Sequence, residues 1–294
     1  MTLPTYFIAH GGVSVLNTNN KTLDGYRAQL KQIGEEILAL NPKGIIATSG
    51  HFESPHESKV RVNFKEDTDV LYDYFFKHDN PALYQFKFKH FGSKKIASEI
   101  KEVLQSHYLE VEEVEFDTDH GIWVPNKLLF SQDELTIPLV SVSTYKPTTF
   151  EQQVKLGESL AQLRNEGYVI INYGMPVHNV YFAARDNPKR ILDALQNDGY
   201  HLDEQITNQN FAEDFTSELE TIISLESNDE RKNAVLSLEN DTKTNLKQAH
   251  PTLEHFNPYL VFIGSGLDSD KGGFYDRTLI ADGMSYSNFK LSSK

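Results

Sequence analysis

Five of the eleven histidines recur in one kind of setting, beyond a short apolar run and close to a glycine or an acid. They are His10 in Ala9-His10-Gly11-Gly12, His51 in Ser49-Gly50-His51-Phe52 and His120 in Phe116-Asp117-Thr118-Asp119-His120-Gly121-Ile122-Trp123. His178 follows in Gly174-Met175-Pro176-Val177-His178-Asn179, and His255 in Leu253-Glu254-His255-Phe256. A neutral imidazole binds a divalent cation through one ring nitrogen while the other donates an outer hydrogen bond. Three such groups, or two with a carboxylate, leave coordination positions open for water or substrate. Any one of these histidines, taken alone, reads equally well as a helix cap or a plain strand-end residue. The chain has no HExxH pair, so a metal would have to draw its ligands from distant segments. The question is whether the five meet in one pocket.

Composition narrows the chemistry. There is no cysteine, which excludes disulfides, thiolate nucleophiles and sulfur-ligated metals. Any metal takes histidine, carboxylate or water. A formal net charge of −14 argues against broad nucleic-acid binding, which needs a basic footprint. Hydrophobic content of 39% and charged content of 24% are those of a globular chain. The start of the chain lacks a basic, apolar, cleavable leader, and no apolar run is long enough to cross a bilayer. The expectation is a soluble cytoplasmic protein with no membrane partner.

The elements around the histidines must bring them together. Tyr6 to Ala9 reads as a buried strand, with His10-Gly11-Gly12 as its turn. In the stretch Leu23 to Leu40, Tyr26, Leu30, Ile33, Ile37 and Leu40 recur at helical spacing, and Asn41-Pro42 stops the helix. Gly44 to Ser49 is a second strand, with His51 just beyond it. Strand, helix, strand is a βαβ signature. If the two strands are parallel, His10 and His51 share a carboxyl edge, where open α/β sheets place their ligand sites. Val169 to Tyr173 is a later strand that leaves through Gly174 toward His178.

Elsewhere, Val60 to Phe64 and Val111 to Phe116 read as strands, Ser93 to Gln105 as a helix, and Trp123 to Leu129 as a short helix. The aromatics Tyr72, Tyr74, Phe75, Phe76, Tyr84, Phe86 and Phe88 are expected to pack a satellite layer. Pro138 to Ser143 is a strand. Thr148 with Glu151 forms a capping box for the next helix, and Gly167 breaks that helix. Lys189 to Leu195 and Thr207 to Leu225 read as helices, Tyr259 to Ile263 as a strand behind His255, and the last residues as a sheet edge. His56, His78 and His90 lack the strand-end context and read as structural or exposed. No linker, repeat or low-complexity block divides the chain. The expectation is one α/β domain over residues 1–294, with a compact central mixed or mostly parallel sheet flanked by helices.

The order and separation of the histidine blocks resemble the class III extradiol ring-cleavage dioxygenases, particularly their DOPA-dioxygenase-like branch. The resemblance runs through His10-Gly11-Gly12, Ser49-Gly50-His51, Asp119-His120-Gly121-Ile122-Trp123, Val177-His178-Asn179 and Pro251-Thr252-Leu253-Glu254-His255. It implies the compact α/β fold of that family and opening of a small catechol-type ring with O2. The cofactor it implies is one divalent metal, Fe(II) in an active dioxygenase, with Zn(II) also held by such sites.

By the same resemblance His10, His51 and His255 are the first metal ligands. His178 is an additional ligand or an acid/base, and His120 is an active-site histidine facing substrate or oxygen. Glu254 competes with His255 for the third position, because other branches use a carboxylate there. His250 is assigned to an outer position. Asp119 and Asn179 would orient the histidines beside them, and Trp123 would anchor the segment that presents His120. The chain departs from its relatives at Gly12, where Ser-Pro commonly follows, at Phe52, where tryptophan is frequent, and at Met175, in place of a small polar stretch. These changes would alter the pocket wall, so DOPA itself is an analogy. Two other readings stand beside this one. One is a zinc-dependent hydrolase on a similar scaffold. The other is a non-enzymatic ligand-binding homologue, which dispersed histidines would favour. Oligomeric state is not legible.

Overall fold

The computed structural model describes residues 2–72, 81–146, 148–183, 208–240, 245–280 and 282–293. A six-stranded sheet runs through it. In chain order its strands are β1 (Thr5–Ala9), β2 (Gly44–Ser49), β3 (Leu139–Ser141), β4 (Tyr168–Gly174), β5 (Asp270–Phe274) and β6 (Phe289–Ser293). In space the order is β5-β6-β1-β4-β2-β3. The four strands β1, β4, β2 and β3 are parallel, and β6 pairs antiparallel with both β1 and β5. The sheet is therefore mixed and mostly parallel. β1 and β2 do point the same way, but β4 lies between them, with Ile8 opposite Tyr173 and Ala47 opposite Ile171.

Helices cover both faces, which is why β1, β2 and β4 are buried along their whole length rather than alternating. On one face lie α1 (Asp24–Ala39) and α3 (His120–Phe130). Leu30, Ile33, Ile37, Trp123, Val124 and Leu129 pack there with Ile8, Ile171 and Tyr173. On the other face lie α4 (Phe150–Ala161) and α7 (Asn257–Gly264), where Leu156, Leu160 and Val261 meet Ile46 and Ile170. Phe7, Phe256, Tyr259, Phe262 and Phe289 extend that layer toward α5 (Phe211–Ile223) and α6 (Asn228–Ser237). The helix α2 (Lys94–Ser106), capped by Ser93, completes the set. The strand at Glu110–Val114 pairs with Lys59–Asn63 in a separate two-stranded sheet. Among the described residues no helix is long and apolar enough to cross a membrane.

Two local expectations are corrected. Tyr259 to Ile263 is helix, not strand. Every residue of α7 is buried, so its apolar run carries no periodicity, and five apolar residues fit either period. The legible signal was Asn257-Pro258, because proline favours the first helical turn. The capping box at α4 sits one residue later than expected. Thr149 accepts from the Gln152 amide and Gln152 reaches back to Thr149, while Thr148 donates its hydroxyl to Gln152 Oε1 at 2.8 Å. Tyr72, Tyr84, Phe86 and Phe88 pack against the α1/α3 layer as expected of a satellite layer. Tyr74, Phe75, Phe76, His78 and the helix expected at Lys189 to Leu195 lie outside the described residues.

Candidate metal centre

The strands β1, β2 and β4 deliver three chain segments to one edge. The His10 amide donates to Gly174 O at 2.9 Å, extending the β1–β4 ladder by one residue, and the Gly50 amide donates to Tyr173 O at 3.1 Å. The segment before α7 crosses these strand ends, held by the Met175 amide on His255 O at 2.9 Å. That crossing requires glycine beneath it. A Cβ at Gly50 would lie 2.9 Å from Glu254 O, and one at Gly174 would lie 2.4 Å from His255 O.

All five histidines converge. The ligand atoms of His10, His51 and His255 lie within 4.8 Å of one another, and those of His178, Glu254 and His255 form a second such group. The His178 ring stacks on His255, with centroids 3.6 Å apart and planes at 17°. The His120 ring lies 4.1 Å from His51 and 5.8 Å from His10. Convergence removes the observation on which a ligand-binding homologue with scattered histidines would have rested.

The hydrogen bonds define tautomers. His255 Nδ1 is 2.9 Å from Glu254 Oε1, and the Thr252 hydroxyl donates to the same oxygen at 2.9 Å. The carboxylate accepts, so Nδ1 carries the proton and Nε2 keeps its lone pair. That lone pair faces His51 Nε2 at 3.2 Å, a separation two nitrogens adopt when they share one ion. His10 is 2% exposed, and neither of its ring nitrogens has a partner among the described residues. A buried polar atom left unpaired costs about 1–3 kcal/mol. A cation accepting one of those lone pairs removes that cost. The donor set thus fits a divalent metal, with nitrogen ligands from His10, His51 and His255 and a carboxylate behind them.

Burial is the main cause of the electrostatics. It pushes His10, His255, His178 and His120 well below the ordinary histidine range, and the neighbouring imidazoles push further. Asp119 opposes the shift at His120 and Glu254 opposes it at His178. All four are therefore neutral near pH 7, the state in which imidazole binds a metal. His51 is the exposed member and opens the cluster to solvent.

The neighbouring residues divide into those that hold the site and those that do not reach it. Asp119 caps α3, accepting from Gly121 N and from Ser49 Oγ, each at 2.8 Å. It thereby ties the start of α3 to the end of β2 and acts on His120 through its charge. Trp123 is fully buried and donates Nε1 to Leu71 O at 3.0 Å, anchoring α3. Asn179 holds the segment after His178. Its Oδ1 accepts from the Phe182 amide at 2.9 Å and its Nδ2 donates to Gln248 O at 2.7 Å, so it fixes the chain that follows His178. Met175 packs in the hydrophobic core and serves the site through its backbone amide. His250 donates Nε2–H to Pro176 O at 2.8 Å, buried against Phe256 and Phe215, outside the cluster. Gly12 caps a short turn at Val13–Leu16. Phe52 meets Phe116 at 5.7 Å.

Sequence reasoning missed Ser49 and Glu53. Ser49 precedes Gly50-His51, but its bond to Asp119 spans 70 residues and left no local signal. Glu53 is pushed up to about 7, first by burial and then by Glu254, with Lys146 and Asn257 opposing.

A cluster of imidazoles at the carboxyl edge of a parallel sheet, backed by a carboxylate and open on one side, fits a divalent metal held outside any haem. Residues 4–291 match the family described as the catalytic LigB subunit of aromatic ring-opening dioxygenase. A 4,5-DOPA dioxygenase extradiol-like protein of Schizosaccharomyces pombe is 32% identical over 278 residues, covering 90% of this chain and 85% of the relative. The 4,5-DOPA dioxygenase extradiol of Beta vulgaris is 29% identical, covering 98% of this chain and 96% of the relative. The fold is shared with a crystal structure of an uncharacterized Escherichia coli K12 protein, at a TM-score of 0.71 and 18% identity over 99% of this chain and 100% of that one. The chain belongs to the class III extradiol ring-cleavage dioxygenases, in their DOPA-dioxygenase-like branch. It is a metal-dependent, aromatic-ring-opening oxidoreductase.

Proposed function

We propose that the chain is a ferrous-iron extradiol dioxygenase that opens a small catechol-type ring with O2, acting as one catalytic domain over residues 1–294. His10, His51 and His255 hold the metal, Glu254 orients His255 from behind, and His178 and His120 face the reactants. The observation that carries this reading is His10, a buried imidazole whose two nitrogens have no partner among the described residues, facing two further histidines. Zinc fits the same nitrogens but brings no redox chemistry.

Bound iron supplies the electron transfer that lets dioxygen react with a catecholate. The protein supplies the remainder. Neutral His178, stacked on His255, accepts a proton as a catechol hydroxyl approaches. His120, on the other side of His51, donates a hydrogen bond to an oxygen that gains negative charge. Burial of His10 and His255 keeps water away from the inner side of the site, while exposed His51 marks the approach.

The test is anaerobic loading with Fe(II), metal analysis, and oxygen uptake across a catechol panel that includes DOPA, the compound in the relatives' names. Catechol-dependent uptake with a ring-opened product is the expected result. No turnover at verified ferrous occupancy would overturn the reading. His120→Ala should keep its metal and lose turnover, and loss of metal would move His120 into the ligand set.

A further inference from the structure

We propose that Phe116, paired with Phe52, forms a fixed aromatic wall at the mouth of the metal pocket and selects catechols whose ring carries an apolar substituent. This rests on the ring-opening reading and adds the substrate class.

Residues 49–52 and 116–121 run side by side. Ser49 Oγ donates to Asp119 at 2.8 Å, the His51 and His120 rings lie 4.1 Å apart, and the Phe52 and Phe116 rings lie 5.7 Å apart at 59°. The same two segments therefore carry an aromatic pair as well as the histidine pair. Phe116 is 43% exposed, and His51 is exposed as well.

The backbone under both rings is clamped. Asn63, itself buried, accepts from the Phe116 amide at 3.1 Å and donates to the Phe116 carbonyl at 3.0 Å. Asp117 pairs with Lys65 and accepts from the Asp69 amide, and the Thr118 amide donates to Asp69 O at 2.8 Å. The Phe52 amide donates to Ser49 O at 3.2 Å, and its carbonyl accepts from Thr144 N at 3.1 Å. An apolar ring held partly in water on a rigid backbone loses little freedom when a ligand covers it. The area covered contributes to binding through the hydrophobic effect. A charged substituent laid on the same rings would lose hydration without a partner.

The test compares wild type, Phe116→Ala, Phe116→Tyr and, as a control on the outer strand, Phe274→Ala. All are iron-loaded. KM and kcat are read by oxygen uptake with catechol and 4-propylcatechol, and Kd for both is read anaerobically by calorimetry. Phe116→Ala should raise KM and Kd for 4-propylcatechol by about threefold to tenfold, the size of one aromatic contact. It should leave those for catechol within about twofold, the scatter expected away from the contact. Phe116→Tyr should restore discrimination, and Phe274→Ala should change neither ligand. Equal changes for both ligands, or none for 4-propylcatechol, overturn the proposal. If no protein opens either ring, the ring-opening reading fails by itself. The anaerobic Kd ratio still decides the wall.

Discussion

The two ends of the parallel strands both bury polar groups, and they treat them in opposite ways. At the amino-terminal edge Arg164 is fully buried against Asp270, with its guanidinium nitrogens 2.6 and 3.0 Å from the two carboxylate oxygens. The same guanidinium donates to Leu3 O and Ser265 O, each at 2.7 Å, and to Leu291 O at 3.5 Å. At the carboxyl edge His10 is equally buried, and both its nitrogens lack a partner among the described residues. A saturated buried charge belongs to the architecture, because its desolvation is offset within the protein. An unsatisfied buried polar group costs stability until a ligand completes it. Histidines alone show the same contrast. Buried His90 is surrounded by the hydroxyls of Thr68 and Thr118, whereas the His10 ring lies against the imidazoles of His51, His120 and His255.

The comparison breaks most clearly by substitution at each end. His10→Ala should abolish metal binding and oxygen uptake while leaving the melting temperature of the metal-free protein unchanged or higher. Its loss of metal affinity should exceed the roughly 10–100-fold typical of an outer-shell partner. Metal analysis and thermal melting read both effects, and a variant that keeps its metal would return His10 to the structural class. Asp270→Ala should do the reverse. Leaving Arg164 buried and unpaired should cost about 3–5 kcal/mol in denaturant unfolding, with metal affinity of the folded fraction intact.

His90 sharpens the comparison through pH. Burial pushes it down to about 4, so the folded state holds it neutral while the unfolded chain takes up a proton near pH 6.5. The unfolded state therefore binds more protons between those values, and stability falls as pH drops from about 6.5 to about 4. The full loss is about 3 kcal/mol, from a pKa difference of about 2.5 units. His90→Gln should flatten that part of the stability–pH curve, and an unchanged slope would place the titration elsewhere. The smallest effect is at Glu254. Glu254→Gln should weaken metal binding by about 10–100-fold without preventing it, as expected of a residue that orients a ligand. Complete loss of metal would make the carboxylate itself a ligand.

Much of the site was legible before the fold. Each of the five histidines follows a short apolar run or a turn, and three of those runs are strands ending at one edge. Their alignment needed the parallel sense of β1, β2 and β4. The α7 segment was read as strand because a helix buried on every side has no amphipathic stripe. The expected α4 cap at Thr148 missed its position by one residue because consecutive threonines offer the same hydroxyl.

The sequence by itself determined the donor types, their absence of sulfur, and their place at strand ends, because these follow from residue chemistry and local periodicity. Tertiary structure decided which donors are satisfied. Glu254 fixes the His255 tautomer, Asp119 spends its carboxylate on Ser49 and the helix cap, His250 turns to Pro176, and His10 finds no partner among the described residues. Those outcomes depend on contacts between segments far apart in the chain, and no local pattern records whether a buried nitrogen will find an acceptor.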